Sequence, residues 1–296
     1  MKLLTLKSKS GLKVTLSTLG AGIFSIYYDK DIMTVTPKKE KDYLLEKIYH
    51  GKTIGPVVGR IDKGQLTIDG QTFSYDINEG ENTLHGGHNG LSTKEWNYNQ
   101  QFDAVSFTYK DKDAFYQVVY KLHDNELLVK FTATPIRPIP IALTNHSYFC
   151  LGEKSIDDLY LQVKAHRFIE TRKEDLIPLE EKDILPCIDF NQLAKVNQDI
   201  DNPYLKDHRS NGIDHSLLRD DDSPVILEGN KYRLEITTDF ETIQLYSYNY
   251  SDGVDMINTK DEIYKGLAIE PQDHFLKRKI YSQPYQRYIK YSFIKK

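Results

Sequence analysis

The stretch Val118-Val119-Tyr120-Lys121-Leu122-His123-Asp124-Asn125-Glu126-Leu127-Leu128-Val129-Lys130-Phe131 reads as two strands folded back on each other. Val118, Tyr120 and Leu122 recur at every second position, which puts them on one face of a pleated strand. His123-Asp124-Asn125-Glu126 supplies the turn, and Leu127 to Phe131 returns. The same pattern extends outward in both directions. Upstream, Leu66 and Ile68 alternate with polar residues, Asp69-Gly70 is a strong short hairpin signal, and Phe73, Tyr75 and Ile77 follow at period two. Downstream, Val225-Ile226-Leu227 is followed by a Glu228-Gly229-Asn230 turn and by Tyr232, Leu234 and Ile236, then by Ile243, Leu245, Tyr246 and Tyr248. Helical periodicity is scarce, and only Asp42–Ile48 and Asp189–Ala194 are predicted as short helices. Many short strands separated by turn signals predict an all-β sandwich or barrel. No fixed-period repeat, Pro/Gly/Ser linker or composition break divides the chain, so one domain over residues 1–296 is expected.

Composition narrows the function. The 39 Lys and Arg against 43 Asp and Glu leave a net charge of -4, without the basic field that nucleic-acid binding requires. Nine of the basic residues are Arg, few for dense phosphate recognition. Two cysteines, Cys150 and Cys187, make neither a disulfide framework nor a four-cysteine metal site, and they suggest a reducing compartment. The first apolar run stops at Lys7, too short for a secretory signal, and no stretch reaches the roughly 20 apolar residues of a membrane helix. A cytoplasmic protein with no membrane partner is expected. The G-x-S-x-G, G-x-x-x-x-G-K-[ST] and G-x-G-x-x-G patterns are absent, which removes the usual support for hydrolase-elbow, nucleotide-hydrolysis and hydride-transfer chemistry.

The residues able to carry chemistry sit in irregular polar segments. His85-Gly86-Gly87-His88 either lets the backbone approach something closely or makes a turn. His146 lies within Thr144-Asn145-His146-Ser147. Glu270 closes the apolar run Leu267-Ala268-Ile269, where a carboxylate must be at a mouth, paired or desolvated. Arg60 follows Val57-Val58-Gly59. A three-histidine, one-carboxylate metal set from His85, His88, His146 and Glu270 is conceivable. The Gly-Gly between the first two makes a poor ligand strand, and the reading adopted here has no metal.

Five ordered pieces resemble one known family, the aldose 1-epimerases or galactose mutarotases. Gly59-Arg60-Ile61-Asp62-Lys63-Gly64 is similar to its Asn-Arg-Ile-x-x-Gly segment. Asn82-Thr83-Leu84-His85-Gly86-Gly87 matches Asn-x-Leu-His-Gly-Gly, and Leu143-Thr144-Asn145-His146-Ser147-Tyr148-Phe149 matches Leu-Thr-Asn-His-[ST]-Tyr-Phe. Gly212-Ile213-Asp214-His215 and Glu270-Pro271-Gln272 correspond to the segments ending Asp-His and to the late Glu-x-Gln. The resemblance implies a large antiparallel β-sandwich of the galactose mutarotase-like (supersandwich) kind. It also implies interconversion of the α and β anomers of an aldose, with no cofactor. It implies Glu270 as general base, His146 as general acid protonated at rest, and Arg60, His85, Asp214, Gln244 and Asn82 as sugar-binding residues. A hexose 6-phosphate substrate would want Arg137, Arg167 or Arg172 on the rim, and a non-catalytic sugar-binding sandwich would want exposed Trp, of which Trp96 is the sole instance. Gly59 stands where the family often has Asn, and Ile213 where an aromatic residue is common, so a hydroxyl contact and a stacking contact are expected to differ. The preferred sugar, and the choice between monomer and homodimer, stay open.

Overall fold

The hairpins of the sequence become the layers of a sandwich. A computed structural model describes residues 1–45, 47–257 and 262–296. Its largest sheet has nine antiparallel strands. In spatial order they are Asn97–Gln100, Ala104–Lys110, Ala114–His123, Glu126–Pro135, Tyr285–Lys295, Tyr232–Thr238, Val225–Glu228, Tyr160–Gln162 and Ala194–Lys195. A six-stranded sheet runs Tyr148–Phe149, Leu267–Gln272, Thr242–Tyr246, Asp214–Leu218, Arg167–Thr171, Pro178–Asp183, and a four-stranded sheet holds the N-terminal strands from Leu3 to Ile32. Among the described residues no helix is long and apolar enough to cross a membrane.

Period-two burial explains the layering. In Ala114–His123 every second side chain, from Ala114 to Leu122, is buried while Phe115, Lys121 and His123 are exposed. One face of the nine-stranded sheet therefore meets the core, where Val118, Tyr120, Val129 and Phe131 join Leu217, Leu245 and Ile269 of the six-stranded sheet and Leu12 and Val14 of the four-stranded one. The rings of Phe149 and Tyr291, one from each large sheet, lie 5.3 Å apart. The Tyr120 hydroxyl donates to the carbonyl of Ala21 at 2.7 Å and fastens the nine-stranded sheet to the N-terminal strands.

The turns are tighter than the sequence suggests. His123 pairs with Glu126, so only Asp124-Asn125 turn the central hairpin. Asp69 and Gly70 both have positive φ, as a two-residue primed turn demands. That hairpin is a separate two-stranded sheet with partly exposed side chains, and it ends at Ser74, leaving Tyr75 and Ile77 outside. Neither expected helix forms as drawn. The first is a 3-10 turn at Glu40–Leu44, where burial of Tyr43 fixes the turn early; Glu46 lies outside the described residues. At Asp189–Ala194 the Asn191 side chain bonds to the backbone of Ala165 at both amide ends, and its own N–H donates to Asp189 Oδ1. The Asp189 bond competes locally with a helix, and the two Ala165 bonds hold the segment across 26 positions. The single α-helix among the described residues is Pro203–Asp207, capped by Asn202, whose side chain accepts from the Tyr204 N–H.

Tyr120→Phe removes one of the two donors to the buried Ala21 carbonyl, leaving the Thr53 hydroxyl at 3.0 Å. It is expected to cost about 0.5–1.5 kcal/mol in urea unfolding, with the far-ultraviolet β-sheet spectrum unchanged.

Candidate active site

The strand Leu267–Gln272 is buried on both sides. Leu267 and Ile269 face the core, so Ala268, Glu270 and Gln272 face the other way. Cross-strand partners in an antiparallel sheet share a face. Gln244 pairs with Glu270 and with Ser216, and Tyr246 with Ala268 and Asp214. The outer face of the six-stranded sheet is therefore a polar floor, and a cleft of about 250 Å³ lies over it.

His146 comes to this floor from the loop between two short strands. Its N–H donates to the Lys52 carbonyl at 3.0 Å, and its own carbonyl accepts from Gly51 N–H at 2.7 Å. The neighbours in its motif do the holding. Asn145 donates to the Gly51 carbonyl at 2.6 Å and accepts from the Ser147 hydroxyl at 2.5 Å. Thr144 donates to the Pro271 carbonyl at 2.7 Å, which ties this segment to the strand of Glu270. His146 Nε2 then lies 3.3 Å from Glu270 Oε1, with side-chain exposures of 6% and 2%. The other carboxylate oxygen of Glu270 accepts from Gln272 Nε2 at 3.1 Å.

His85 occupies a left-handed turn, with φ of 56° followed by 87° and 76° at Gly86 and Gly87. A Cβ at Gly86 would lie 2.4 Å from the Gly55 carbonyl oxygen, so the two glycines serve backbone packing. His85 Nδ1 accepts from the Gly59 N–H at 3.3 Å, which leaves the proton of the neutral ring on Nε2. The His85 and His146 rings are 5.3 Å apart and perpendicular, and Tyr49 packs against both. Arg60 donates to both oxygens of Glu79, at 2.7 and 3.0 Å, and reaches Asp214 Oδ2 at 3.5 Å. Gln244 Nε2 donates to Asp214 Oδ1 at 2.6 Å.

Burial governs the charges. It raises Glu270 well above the usual carboxyl value; Asp214 adds to this, while Gln272 and Arg60 oppose it. Burial also lowers His146 to about 4. The proton the pair shares rests on the carboxyl, and the expectation of a resting imidazolium is reversed. Burial opposes the charge on Arg60 as well, but Asp214 and Glu79 outweigh it and raise its pKa. Asp214 is raised by burial, with Arg60 pulling the other way.

Arg60, His85, His146, Asp214, Gln244 and Glu270 all line the cleft. Asn82 does not: its amide accepts from Lys63 N–H and donates to Asp175, both at 2.9 Å, and so braces the loop beneath. Ile213 is a core residue, so it changes no stacking contact. His88 is exposed. Among the described residues no group of three His, Cys, Asp or Glu is placed to hold a metal ion. The sequence reading missed Glu79, Ser216, Tyr246 and Phe275 at the cleft. Ser216 and Tyr246 were within reach, since each lies two positions from an identified residue on the same strand face. His146 Nδ1, Ser216 Oγ and Gln272 Oε1 are buried without a hydrogen-bond partner in the protein.

A β-sandwich with a carboxyl–imidazole pair on the floor of a polar cleft is thus defined, and comparison with known proteins agrees. The sequence model of the family Aldose 1-epimerase matches residues 2–278. Galactose mutarotase from Sus scrofa is 31% identical over 234 residues, which cover 72% of this chain and 66% of that protein, just under two thirds of its length. Aldose 1-epimerase from Escherichia coli (strain K12) is 27% identical over 304 residues, covering 92% and 86%. The galactose 1-epimerase structure from Lactobacillus acidophilus NCFM superposes with a TM-score of 0.88 at 23% identity, covering 99% of this chain and 94% of that one, which shows the shared fold. The chain belongs to the aldose 1-epimerase family.

His215, next to Asp214 but on the core side, is lowered by burial to about 3. It stays neutral in the folded chain while the unfolded chain takes up a proton below pH ~6.5, so its contribution to stability is present above that value and lost as pH falls. The stability advantage of wild type over His215→Asn should shrink by up to about 1.4 kcal/mol per pH unit below pH 6.5, read from denaturant melts at several pH values.

Proposed function

We propose that this chain interconverts the α and β anomers of a neutral aldohexose, such as galactose or glucose, by acid–base ring opening and closure. The observation that carries the reading is the buried Glu270–His146 contact at 3.3 Å on a floor of hydroxyl-binding groups. Anomerisation needs one group to take the C1 hydroxyl proton and another to protonate the ring oxygen as the C1–O5 bond breaks. In the form whose one proton has moved from Glu270 to His146 across the 3.3 Å contact, Glu270 as carboxylate takes the first proton and His146 gives the second. Rotation about C1–C2 presents the other carbonyl face; as the ring closes, Glu270 gives its proton to the carbonyl oxygen and neutral His146 takes back the O5 proton. Ring opening leaves a protonated Glu270 and a neutral His146, the distribution burial favours. Desolvation therefore stabilises the enzyme form that accompanies the open aldehyde. His85 Nε2–H, Arg60, Asp214 and Gln244 hold sugar hydroxyls by hydrogen bonds that are charge-assisted at Arg60 and Asp214. The unpartnered atoms of Ser216 and Gln272 give such hydroxyls further partners.

Charge favours a neutral sugar over a sugar phosphate. The cations lining the cleft are Lys47, Arg60 and Arg209, against Glu79, Asp214, Asp252 and Glu270. Arg137, Arg167 and Arg172 do not line it and pair instead with Asp113, Glu181, and Asp62 with Asp175. A non-catalytic sugar-binding module loses its platform, since Trp96 is buried and donates to the Leu91 carbonyl. The reading includes a single domain over residues 1–296 acting in the cytoplasm. Its support is one core cluster that draws on all three larger sheets, together with two free cysteines.

Anomer-resolved proton NMR on a panel of aldoses should show a rate well above buffer for galactose or glucose and little for glucose 6-phosphate; no acceleration of any aldose would end the reading. Glu270→Gln keeps the shape but not the basicity, and should lower kcat by at least about 10²-fold with binding retained. His146→Asn should do likewise, and the double variant should cost less than the product because both act in one proton-transfer step.

The pair works while it holds one proton. The acid limb of the kcat/KM profile, where a second proton must enter buried His146, is expected well below pH 6.5; the alkaline limb follows loss of the shared proton, above the ordinary carboxyl range. An acid limb centred at 6.5 or higher would contradict this assignment.

A further inference from the structure

Gly59 and Phe275 meet at the cleft wall beside His85. A Cβ on Gly59 would lie 2.6 Å from Phe275 Cε1 and 2.9 Å from Cζ, well inside van der Waals contact, and 3.3 Å from Arg278 Nη2. The ring therefore occupies the space a side chain at position 59 would need. Phe275 sits on the one-turn helix Phe275–Lys277, just beyond the strand that carries Glu270. Arg278 anchors this helix by donating to the Val58 carbonyl at 2.8 Å and to the Arg60 carbonyl at 3.3 Å, with its guanidinium 5.3 Å from the ring centre. The Gly59 N–H is committed to His85. Both Gly59 and Phe275 line the cleft and Arg278, whose Nε is buried without a partner, does not, so this part of the wall presents an aromatic ring.

We propose that Phe275, seated on the bare α-carbon of Gly59, is a specificity-determining residue: it presents an apolar wall to one position of the sugar, so the chain accepts aldoses that lack a hydroxyl there. The inference rests on the aldose reading of the cleft. Aromatic faces suit C–H groups, whereas a site built to hydrogen-bond a hydroxyl rejects the analogue without it. The φ of +77° at Gly59 admits Asn better than other side chains, so the obstacle to Asn there is chiefly the ring.

The test is mutarotation of galactose and its 2-, 3-, 4- and 6-deoxy analogues by wild type, Gly59→Asn, Phe275→Ala and the double variant, with the melting temperature of each protein. In wild type one deoxy sugar should keep the parent's kcat/KM within about 3-fold while others fall by about 10-fold or more. Gly59→Asn alone should be less stable and less active than Gly59→Asn/Phe275→Ala. In that double variant the formerly silent deoxy sugar should become about 10-fold poorer than galactose, chiefly through KM. Wild type penalising every deoxy analogue, or Phe275→Ala failing to relieve Gly59→Asn, would overturn the proposal. Wild type with no mutarotation of any sugar would instead overturn the aldose reading.

Discussion

Taking a carboxyl and an imidazole out of water side by side costs free energy on both, and the cleft is organised around that cost. Burial raises Glu270 and lowers His146, so the ionic and neutral forms of the pair differ by one proton moved across 3.3 Å. Such a pair needs a rigid frame, because a small change in separation alters the electrostatics steeply at low dielectric. The frame is mostly backbone. Glu270 is fixed by strand pairing with Gln244, and His146 by bonds from its main chain to residues 51 and 52. The Thr144 hydroxyl on the Pro271 carbonyl joins the two. The residues around His146 in its motif are thus structural supports for one ring.

A second, half-buried network lies beside the first. Arg60 is shared between Glu79 and Asp214, and Gln244 takes the remaining oxygen of Asp214. A half-buried salt bridge of this kind gives little net stability, since desolvation offsets most of the attraction. What it gives is fixed orientation: the guanidinium plane is held by two bonds to Glu79, with its remaining nitrogen directed at Asp214. Asp214 and Arg60 also act on Glu270 in opposite senses, the one raising and the other lowering its proton affinity. The Arg60–Asp214 network and the Glu270–His146 pair are therefore electrically linked, and a change in either alters both.

The sandwich was legible because period two survives wherever one face is wet, as in Ala114–His123 with its alternation of buried and exposed residues. The strand Leu267–Gln272 is covered on both faces, and there the polarity of Glu270 and Gln272 at alternate positions was the only visible sign of a second environment. His146, His85, Arg60 and Asp214 were legible through motif resemblance, whereas nothing near Glu79 or Phe275 in sequence announces their partners Arg60 and Gly59. Those contacts span 19 and 216 positions (79 minus 60; 275 minus 59), and they exist only because the fold closes. Asn82 is the opposite case: it sits in a motif beside His85, yet both ends of its amide are bonded within the protein. The Asp189–Ala194 helix failed because Asn191 is tied to the distant backbone of Ala165 and its N–H to the Asp189 side chain.

The last strand, Tyr285–Lys295, lies at the centre of the nine-stranded sheet, between Glu126–Pro135 and Tyr232–Thr238. During synthesis this seam stays open until the strand has left the ribosome. Until then the strands on either side each present an unpaired edge backed by apolar side chains, the kind of surface that chaperones hold and aggregates recruit. The long-range pairing also delays closure relative to local hairpins. Loss of the strand Tyr285–Lys295 would therefore unseam the sheet opposite the cleft and leave the Glu270–His146 floor without its backing layer, although no residue of the cleft would have been removed.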